Sequence, residues 1–235
     1  MKKKIVVLTG SGISAESGLK TFRDSGGLWE EYDVSLVASI DGWRNDPEFV
    51  LKFYNERRKQ LENAKPNQAH IALAKLEEKY DVTIITQNID NLHERAGSKN
   101  VLHLHGLMTQ ARSSVDVNLV YDIGYKEIHI GDLCEKGSQL RPNVVWFGEA
   151  VPLISDASEI CSTADIFIVI GTSLVVYPAA GLIDEVPRNA VVYIIDPIKP
   201  PVYRSFREIN FIEEVATTGT EKLVNQLMTQ EEKSV

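Results

Sequence analysis

The stretch IVVLTGSGISA, residues 5–15, decides the fold class of this 235-residue chain. Its first four residues are apolar, and three of them are β-branched, which is typical of a strand buried on both faces of a parallel sheet. The next residues match the pattern G-x-G-x-x-A. Gly10 suits a tight turn, Gly12 lets a backbone approach a pyrophosphate, and Ala15 allows a helix to pack closely. A strand, a glycine-rich turn and a helix in this order predict a dinucleotide-binding unit.

Three further apolar runs of the same kind follow, VTII (82–85), IFIVI (166–170) and VVYII (191–195). Amphipathic stretches such as residues 69–80 separate them, so the pattern predicts an α/β fold with an open parallel sheet. The runs end in small or polar residues: TQNID (86–90), GTS (171–173) and DP (196–197). Polar residues also follow strands in ordinary turns. As a set, however, these ends favour a ligand at the carboxyl edge of the sheet, where doubly wound sheets bind theirs.

The composition excludes several classes of protein. The net charge of −8 gives no basic surface for nucleic acid. No window is long and apolar enough for a membrane helix, and the apolar run after the N-terminal lysines is too short for a signal peptide. Two cysteines do not make a disulfide framework, so we expect a reducing, cytoplasmic location. The sequence leaves the oligomeric state open, and a monomer is compatible with it.

Two segments do not fit the sheet. Residues 29–65 are predicted to be helical, and residues 107–140 carry the alternating runs VDVNLVY (115–121) and KEIHI (126–130), which predict a β hairpin. We therefore predict a Rossmann-like lobe and a smaller lobe built from these two inserts. The Rossmann-like lobe comprises residues 1–28, 66–106 and 141–235.

The segment TFRDSGGLW, residues 21–29, interrupts the first β-α-β unit. An ordinary dehydrogenase would instead bring a second strand with a terminal acid about 20 residues after the glycines. A glycine-rich linker is one explanation of the interruption. A mobile loop that closes over a cofactor fits better, because Phe22 and Arg23 are unusual residues for a plain linker.

Five motifs together resemble the sirtuins, the NAD-dependent protein lysine deacylases. They are GSGISAESGLKTFR (10–23), TQNIDNLHERAG (86–97), LHLHG (102–106), VVWFGE (144–149) and GTSLVVYPAA (171–180). The resemblance covers residues 4 to about 220 and is closest to bacterial members that remove acidic acyl groups. It implies that NAD and the acylated lysine of a protein or peptide meet in a cleft between two lobes. The acyl group is transferred to ADP-ribose, and nicotinamide is released.

The resemblance also implies a role for individual residues. His105, directly before the glycine, would be the general base on a ribose hydroxyl, a task suited to an imidazole that titrates near neutrality. Asp196 is the nearest polar candidate for the adenosine ribose, because Ile194 stands where many relatives have Asn. The full set of implied cofactor contacts is Gly10, Ser11, Gly12, Ile13, Ser14, Ala15, Glu16, Thr21, Phe22, Arg23, Trp29, Gln87, Asn88, Ile89, Asp90, Gly171, Thr172, Ser173, Asp196 and Ala216.

A helix predicted to start at Asp46-Pro47 supplies two candidate substrate residues. Asp is a good N-cap and Pro suits the first turn, and at 100° per residue Arg57 lies within the apolar stripe. An arginine there can reach solvent or pair with an internal acid. The resemblance instead pairs it with Tyr54 as the Tyr-x-x-Arg pocket for a succinyl or malonyl carboxylate. It further assigns substrate-backbone pairing to Val145, Phe147, Gly148 and Glu149.

The two histidines of LHLHG raise the question of a metal. His103 lies two residues before His105, with no third ligand at a suitable spacing, so we interpret it as a neighbour that packs or forms hydrogen bonds. Most sirtuins hold a structural zinc with paired cysteines, but Ser113 stands at the first of those positions. Cys134, even with His129 and Asp132 nearby, falls short of a four-ligand site. We therefore expect no zinc.

Several other functions remain open at the level of sequence. An ADP-ribosyltransferase or an NAD hydrolase would use the same cofactor site and differ in its products. A non-enzymatic NAD sensor would have no need of His105, and the interruption at residues 21–29 disfavours a dehydrogenase.

Overall fold

The computed structural model describes residues 2–21, 32–201 and 208–230. The predicted α/β fold with a parallel sheet is confirmed: six parallel strands lie in the order β3-β2-β1-β7-β8-β9. These strands are β1 (Lys4–Thr9), β2 (Asp81–Thr86), β3 (Val101–His103), β7 (Ile166–Ile170), β8 (Val191–Ile195) and β9 (Ile209–Ile212). The four predicted runs form β1, β2, β7 and β8, while β3 and β9 were not predicted.

Helices pack on both faces of the large sheet, and several lie in the segment between β1 and β2. They are α1 (Gly12–Ala15), α2 (Val34–Val37), α3 (Ile40–Asn45), α4 (Pro47–Asn63), α5 (Gln68–Leu76), α6 (Leu92–Arg95), α7 (Ile154–Ser162) and α8 (Ala216–Thr229), with a 3₁₀ helix at Ala179–Glu185. The predicted start of α4 is confirmed, since the Asp46 side chain accepts a hydrogen bond from the Phe49 N–H and Pro47 is the first helical residue. No helix in the described ranges is long and apolar enough to span a membrane.

The large sheet is apolar on both faces. Along β1, Ile5 and Val7 belong to the core cluster that also contains residues of α5 and α8, whereas Val6 and Leu8 belong to the cluster with residues of α7 and the 3₁₀ helix. Because alternate side chains of a strand point to opposite faces, a strand packed between two layers needs apolar residues at every position. This explains the uninterrupted apolar run at residues 5–8.

The strand order places a crevice at the carboxyl end of β1. The chain runs from β1 through β2 to β3 on one side, and then crosses over to β7, β8 and β9 on the other. Thr9 at the end of β1 is paired with Ile170 at the end of β7, so the direction of winding reverses between these two strands. Open α/β sheets bind their ligands outside the strand ends at such a switch point.

A second, antiparallel sheet has the order β5-β4-β6, with β4 at Gly106–Ser113, β5 at Val120–Asp122 and β6 at Leu140–Val144. Residues of this sheet pack against α4 in a separate core cluster that includes Met108, Val144 and Trp146. The proposed lobe boundaries remain a prediction. The last of them, at residues 140 and 141, falls within β6.

The predicted hairpin between residues 115–121 and 126–130 is wrong. Most of the first run lies in turns, with Val115 and Val117 72% and 64% exposed, and the second run is not a strand. Instead, Ile128 packs on α4, and the Asn55 side chain of that helix bonds both its N–H (3.0 Å) and its carbonyl (2.9 Å). A side chain thus takes the place of the partner strand that the alternation predicted.

Some predictions fall outside the described residues. The cofactor contacts expected at Phe22, Arg23 and Trp29, and all but the first residue of the loop at 21–29, lie in the undescribed range 22–31.

Candidate functional site

The glycine loop after β1 packs directly on the loop after β7. The Gly10 N–H bonds the Ile170 carbonyl at 3.0 Å, and the Gly12 N–H bonds the Gly171 carbonyl at 2.9 Å. A Cβ at Gly12 would lie 2.6 Å from the Gly171 Cα, and one at Gly10 would lie 2.7 Å from the Gly171 carbonyl oxygen. Glycine is therefore required at these positions by contact between two strand ends, in addition to any role toward a pyrophosphate.

The TQNID turn after β2 links the other strand ends. The Gln87 side chain donates to the Thr172 hydroxyl at 3.1 Å. The Asn88 amide donates to the Gly10 carbonyl at 3.1 Å and to the Ser14 hydroxyl at 3.2 Å. With both donor bonds made within the protein, the amide oxygen of Asn88 is the part of this side chain left to accept from a ligand.

Asp90 closes the same turn and is buried. Its carboxylate accepts hydrogen bonds from the Ser14 hydroxyl at 2.9 Å and from the Leu92 N–H at 3.1 Å. Burial raises the pKa of Asp90, and the hydrogen bonds from Leu92 and Ser14 only partly offset this effect. The carboxylate thus fixes the start of α6 relative to α1.

His105 presents one ring nitrogen to the crevice. Its Nδ1 lies 2.9 Å from the Gln87 carbonyl oxygen, which can only accept a hydrogen bond. In the neutral ring the proton is therefore on Nδ1, and Nε2 carries the lone pair that a base needs. Burial lowers the pKa of His105 below its usual value, and the bond to Gln87 opposes this in part. The ring is consequently neutral and able to accept a proton at physiological pH.

The next residue must be glycine. Gly106 has φ +80, a left-handed conformation, and a Cβ there would lie 2.1 Å from the Asn143 carbonyl oxygen of β6. The His-Gly pair thus turns the chain from the large sheet into β4, and the turn holds His105 at the crevice.

The crevice is a cleft of about 950 Å³ that brings together most of the predicted contacts. Those lining it are Gly10, Ser11, Gly12, Ala15, Glu16, Thr21, Tyr54, Gln87, Asn88, Ile89, His105, Val145, Phe147, Gly148, Glu149, Gly171, Thr172, Ser173, Asp196 and Ala216. Ile13 is not among them, because its side chain is fully buried in the core beneath the glycine loop. Ser14, Asp90 and Arg57 line a smaller adjoining pocket.

The smaller pocket, of about 80 Å³, shares Tyr54, Asn88 and Ile89 with the cleft and is closed by Phe53 and Met108. Arg57 lies in its wall, with Cζ 5.1 Å from the Phe53 ring centroid. Within the described part of the chain, Arg57 Nε and Nη1 are buried and have no hydrogen-bond partner. Burying two guanidinium nitrogens without an acceptor is costly, and an anion in the pocket would remove that cost.

Helix α4 also buries a second arginine, which the apolar stripe of the sequence did not predict. Arg58 is fully buried, and it donates to the Met108 carbonyl at 2.9 Å and to the Asn55 side chain at 2.7 Å. Burial lowers the pKa of Arg58 to about 10, against the charge of Glu127. The helix therefore has two buried faces, one toward the pocket and one toward β4, and the apolar stripe indicated only the first.

The segment predicted to pair with substrate runs along the cleft. The Phe147 N–H donates to the Ala38 carbonyl at 2.9 Å, and the Phe147 side chain is 49% exposed. The Glu149 carboxylate accepts hydrogen bonds from Arg141 (2.7 and 2.9 Å) and Arg112 (3.0 Å). That carboxylate therefore anchors the segment to β4 and β6.

The chain is similar in sequence to a known protein family and to curated relatives. The family model described as "Sir2 family" matches residues 10–178, well over half of the chain. The chain belongs to the Sir2 family. A relative from Bacteroides thetaiotaomicron named "NAD-dependent protein deacylase" is 53% identical, over 96% of this chain and 98% of its own length.

Solved Sir2 structures agree in fold. A Sir2 homolog in complex with NAD has a TM-score of 0.86 at 40% identity, covering 97% of this chain and 90% of its own. A Sir2 complex with a p53 peptide and NAD⁺ has a TM-score of 0.78 at 32% identity, covering 97% of this chain and 95% of its own. The Sir2 family is a family of enzymes, and the predicted enzymatic character is confirmed.

The Sir2-family cleft is also lined by residues for which no role was predicted, among them Trp146, Tyr177 and the segment 197–201. The stretch VVYPAA (175–180) is part of one of the five motifs, but nothing in it predicts that Tyr177 lines the cleft. Prolines at 197, 200 and 201 were the one available signal that an extended segment follows β8.

No group of three or more His, Cys, Asp or Glu residues in the described ranges is arranged to hold a metal. The Ser113 hydroxyl accepts hydrogen bonds from the N–H groups of Val115 and Asp116, both at 3.2 Å. A hydrogen bond to the Ser113 side chain lowers the pKa of the Cys134 thiol. The absence of zinc remains a prediction for this Sir2-family chain.

Proposed function

We propose that this chain is an NAD-dependent protein deacylase that removes acetyl groups and acidic acyl groups, succinyl and malonyl, from protein lysines. The observation that carries the acidic preference is Arg57. Two of its nitrogens, Nε and Nη1, are buried without a partner in the described chain, in a pocket that opens on the cleft beside Tyr54. A carboxylate accepts from a guanidinium in a bidentate manner, and such charge-assisted bonds are the strong ones.

The cleft fits NAD on the basis of its own residues. Its volume is within the range of ligand sites, and its floor is glycine backbone where a pyrophosphate can approach closely. Gly10, Gly12 and the 171–173 turn would hold the pyrophosphate, and Asp196 at the end of β8 would hold a ribose. When bound, NAD supplies a ribose carbon from which nicotinamide can leave.

His105 and the TQNID turn would carry out the proton transfer. The neutral His105 has its lone pair on Nε2 in the cleft, so it can take the proton of a ribose hydroxyl. Asn88 lies between cleft and pocket, where the acyl oxygen and the ribose would meet. Overall, acyl-lysine, NAD and water give free lysine, nicotinamide and O-acyl-ADP-ribose.

The acyl-lysine would lie against residues 145–149. Val145 and Phe147 each direct their N–H inward, to the carbonyls of His105 and Ala38. The Trp146 N–H and carbonyl are bonded to the carboxylate and the N–H of Glu149, so a substrate peptide would pair with the other backbone groups of residues 145–149. Both cysteines are free, which supports the cytoplasmic location that we propose.

The test compares acetyl- and succinyl-lysine peptides in the wild type and Arg57→Met, with Arg44→Met as control because Arg44 is 69% exposed. We expect Arg57→Met to lower kcat/KM for the succinyl peptide by roughly 10- to 100-fold, the worth of a charged hydrogen-bonded pair. The acetyl peptide should change little. An equal loss on both peptides would exclude the carboxylate role.

Mass spectrometry of the products distinguishes deacylation from ADP-ribosylation of protein or release of free ADP-ribose.

A further inference from the structure

The two histidines of LHLH bond consecutive carbonyls of the TQNID turn. His105 Nδ1 lies 2.9 Å from the Gln87 oxygen, and His103 Nδ1 lies 3.3 Å from the Asn88 oxygen. The rings are two residues apart and thus hold the same turn side by side. They differ in what the other ring nitrogen meets.

His105 directs its second nitrogen to the cleft, whereas His103 directs its own to a carboxylate. His103 Nε2 lies 2.6 Å from Glu94 Oε1, and the side chain of His103 is 13% exposed. Both ring nitrogens of His103 therefore face acceptors, one carbonyl and one carboxylate. A neutral imidazole has only one N–H and would leave a lone pair opposed to one of them. An imidazolium donates to both.

The other charged and titratable groups around His103 come from three elements. Glu94 and His93 lie on α6, Asp90 lies on the turn, and His70 of α5 acts on Glu94. Burial lowers the pKa of His103, but the bond and charge of Glu94, with help from Asn88 and Asp90, outweigh it and raise the pKa overall. His93 is held neutral, because burial keeps its pKa well below the usual value.

We propose that His103 is a positioning residue, an imidazolium that Glu94 holds against the Asn88 carbonyl so that the Asn88–Asp90 turn keeps its place between cleft and pocket. Asn88 and Ile89 line both cavities. A small displacement of their backbone would therefore disturb cofactor and acyl group together. The use of this turn in catalysis rests on the proposed deacylase function, but the charge state of His103 does not.

The first test follows the histidine rings by ¹⁵N NMR over a pH titration of the ligand-free protein. At neutral pH both nitrogens of His103 should be protonated, while His105 should be neutral with its proton on Nδ1. In Glu94→Gln, the pKa of His103 should fall by about one to three units, the effect of losing an adjacent opposite charge. A wild-type His103 that is neutral at pH 7 would overturn the proposal.

Glu127→Gln is the matched control. Glu127 also pairs with a histidine, His129 at 3.3 Å, but both side chains are more than half exposed. The same substitution there should leave the titration of His103 unchanged.

The second test is the pH profile of kcat/KM for an acyl peptide at limiting NAD. The alkaline limb should follow deprotonation of His103, so Glu94→Gln should move this limb to lower pH by the shift seen in NMR. The acid limb, set by His105, should stay in place. A merely structural role for Glu94 would lower activity by one factor at every pH, and that result would refute positioning by charge. If the wild type has no deacylase activity, the NMR titration still decides the state of His103, so the two proposals fail separately.

Discussion

The two sheets of this protein are stabilised in different ways. The six-stranded sheet lies between two apolar layers, and β7 is buried along its whole length. The three-stranded sheet depends on polar side chains at its edges: the Arg141–Glu149–Arg112 cluster, the Asn55 bonds to Ile128 and the Lys136–Asp116 pair. The first sheet supplies the floor of the cleft, and the second supports the segment that we propose to bind substrate.

This difference implies different consequences of mutation. The stabilisation from apolar burial scales with the buried area. A buried ion pair fixes a local geometry, and removing one partner leaves the other charge unpaired. Substitutions in the large sheet should therefore act mainly on unfolding. Substitutions in the polar clusters of the small sheet should lower stability less and act more directly on substrate binding.

The largest effect is expected from Phe167→Ala in β7. Phe167 is fully buried, and its loss would leave a cavity between the central strands and α7. We expect the free energy of unfolding to fall by about 3–5 kcal/mol, measured by denaturant titration. Phe49→Ala is the matched control, because Phe49 is 37% exposed on α4. A loss at Phe167 no greater than at Phe49 would contradict the account of the large sheet.

The pH dependence of stability tests the buried histidines of the large lobe, which are polar residues among apolar ones. His70 is fully buried, and burial lowers its pKa from 6.5 to about 4. The unfolded chain therefore binds a proton that the folded chain resists, so stability is complete above pH 6.5 and is lost as the pH falls toward 4. The loss from this group is on the order of 3 kcal/mol.

The substitution His70→Gln should flatten this dependence without removing the helix cap. His70 Nδ1 accepts from the Asn67 backbone N–H, and a glutamine at this position can do the same without titrating. His93, whose pKa is lowered in the same direction, should keep part of the slope. Urea unfolding at a series of pH values measures it, and an unchanged slope would exclude His70 as a source. His129→Gln, at an exposed site, is the control.

An intermediate effect is expected from Arg141→Met at the base of the small sheet. Arg141 is 3% exposed and bonds Glu149 twice and the Val144 carbonyl once, with its Cζ 3.3 Å from the Trp146 ring centroid. We expect a loss of about 2 kcal/mol and a higher KM for the acyl peptide, because the 145–149 segment loses its anchor. Arg188→Met, at an exposed position, should change neither quantity. A change in stability with no change in KM would show that this cluster does not position the substrate-binding segment.

The fold could be predicted where contacts are local or apolar. The runs that became β1, β2, β7 and β8 are recognisable because burial on both faces requires apolar residues throughout. β3 has only three residues, and Asn210 interrupts β9, so neither leaves such a signal. The cleft residues were found through motifs that sit at strand ends, as the topology requires.

The polar contacts could not be predicted, since each joins residues distant in sequence. Asn55 reaches Ile128 across 73 positions, and the role of Arg58 depends on the Met108 carbonyl, 50 positions away. An alternating run predicts a strand only if a partner strand is available, and here a side chain has taken that place. The link between His103 and Glu94 is closer in sequence, but which ring nitrogen meets the carboxylate is decided only by the fold.

The smallest effect on stability is expected from the Lys136–Asp116 ion pair, in the part of the small sheet that was predicted to lack zinc. The end of β4 and the turn at residues 134–138 are joined by the Lys136–Asp116 ion pair at 2.7 Å and by the contact of Cys134 with Ser113. Because Lys136 is 61% exposed, the pair is screened by solvent, and Asp116→Asn should lower the stability only slightly. Asp41→Asn, in the more exposed pair with Arg44, is the control and should cost less.

Metal analysis and unfolding with and without a chelator complete this comparison. If these bonds close the turn, the purified protein should hold no stoichiometric zinc and a chelator should leave its Tm unchanged. A structural zinc contributes folding energy outright, so its removal would lower the Tm far more than Asp116→Asn does. One equivalent of bound zinc, or a Tm that falls on chelation, would show that the small sheet depends on a metal. In that case the polar contacts at Ser113 and Asp116 would be secondary to it.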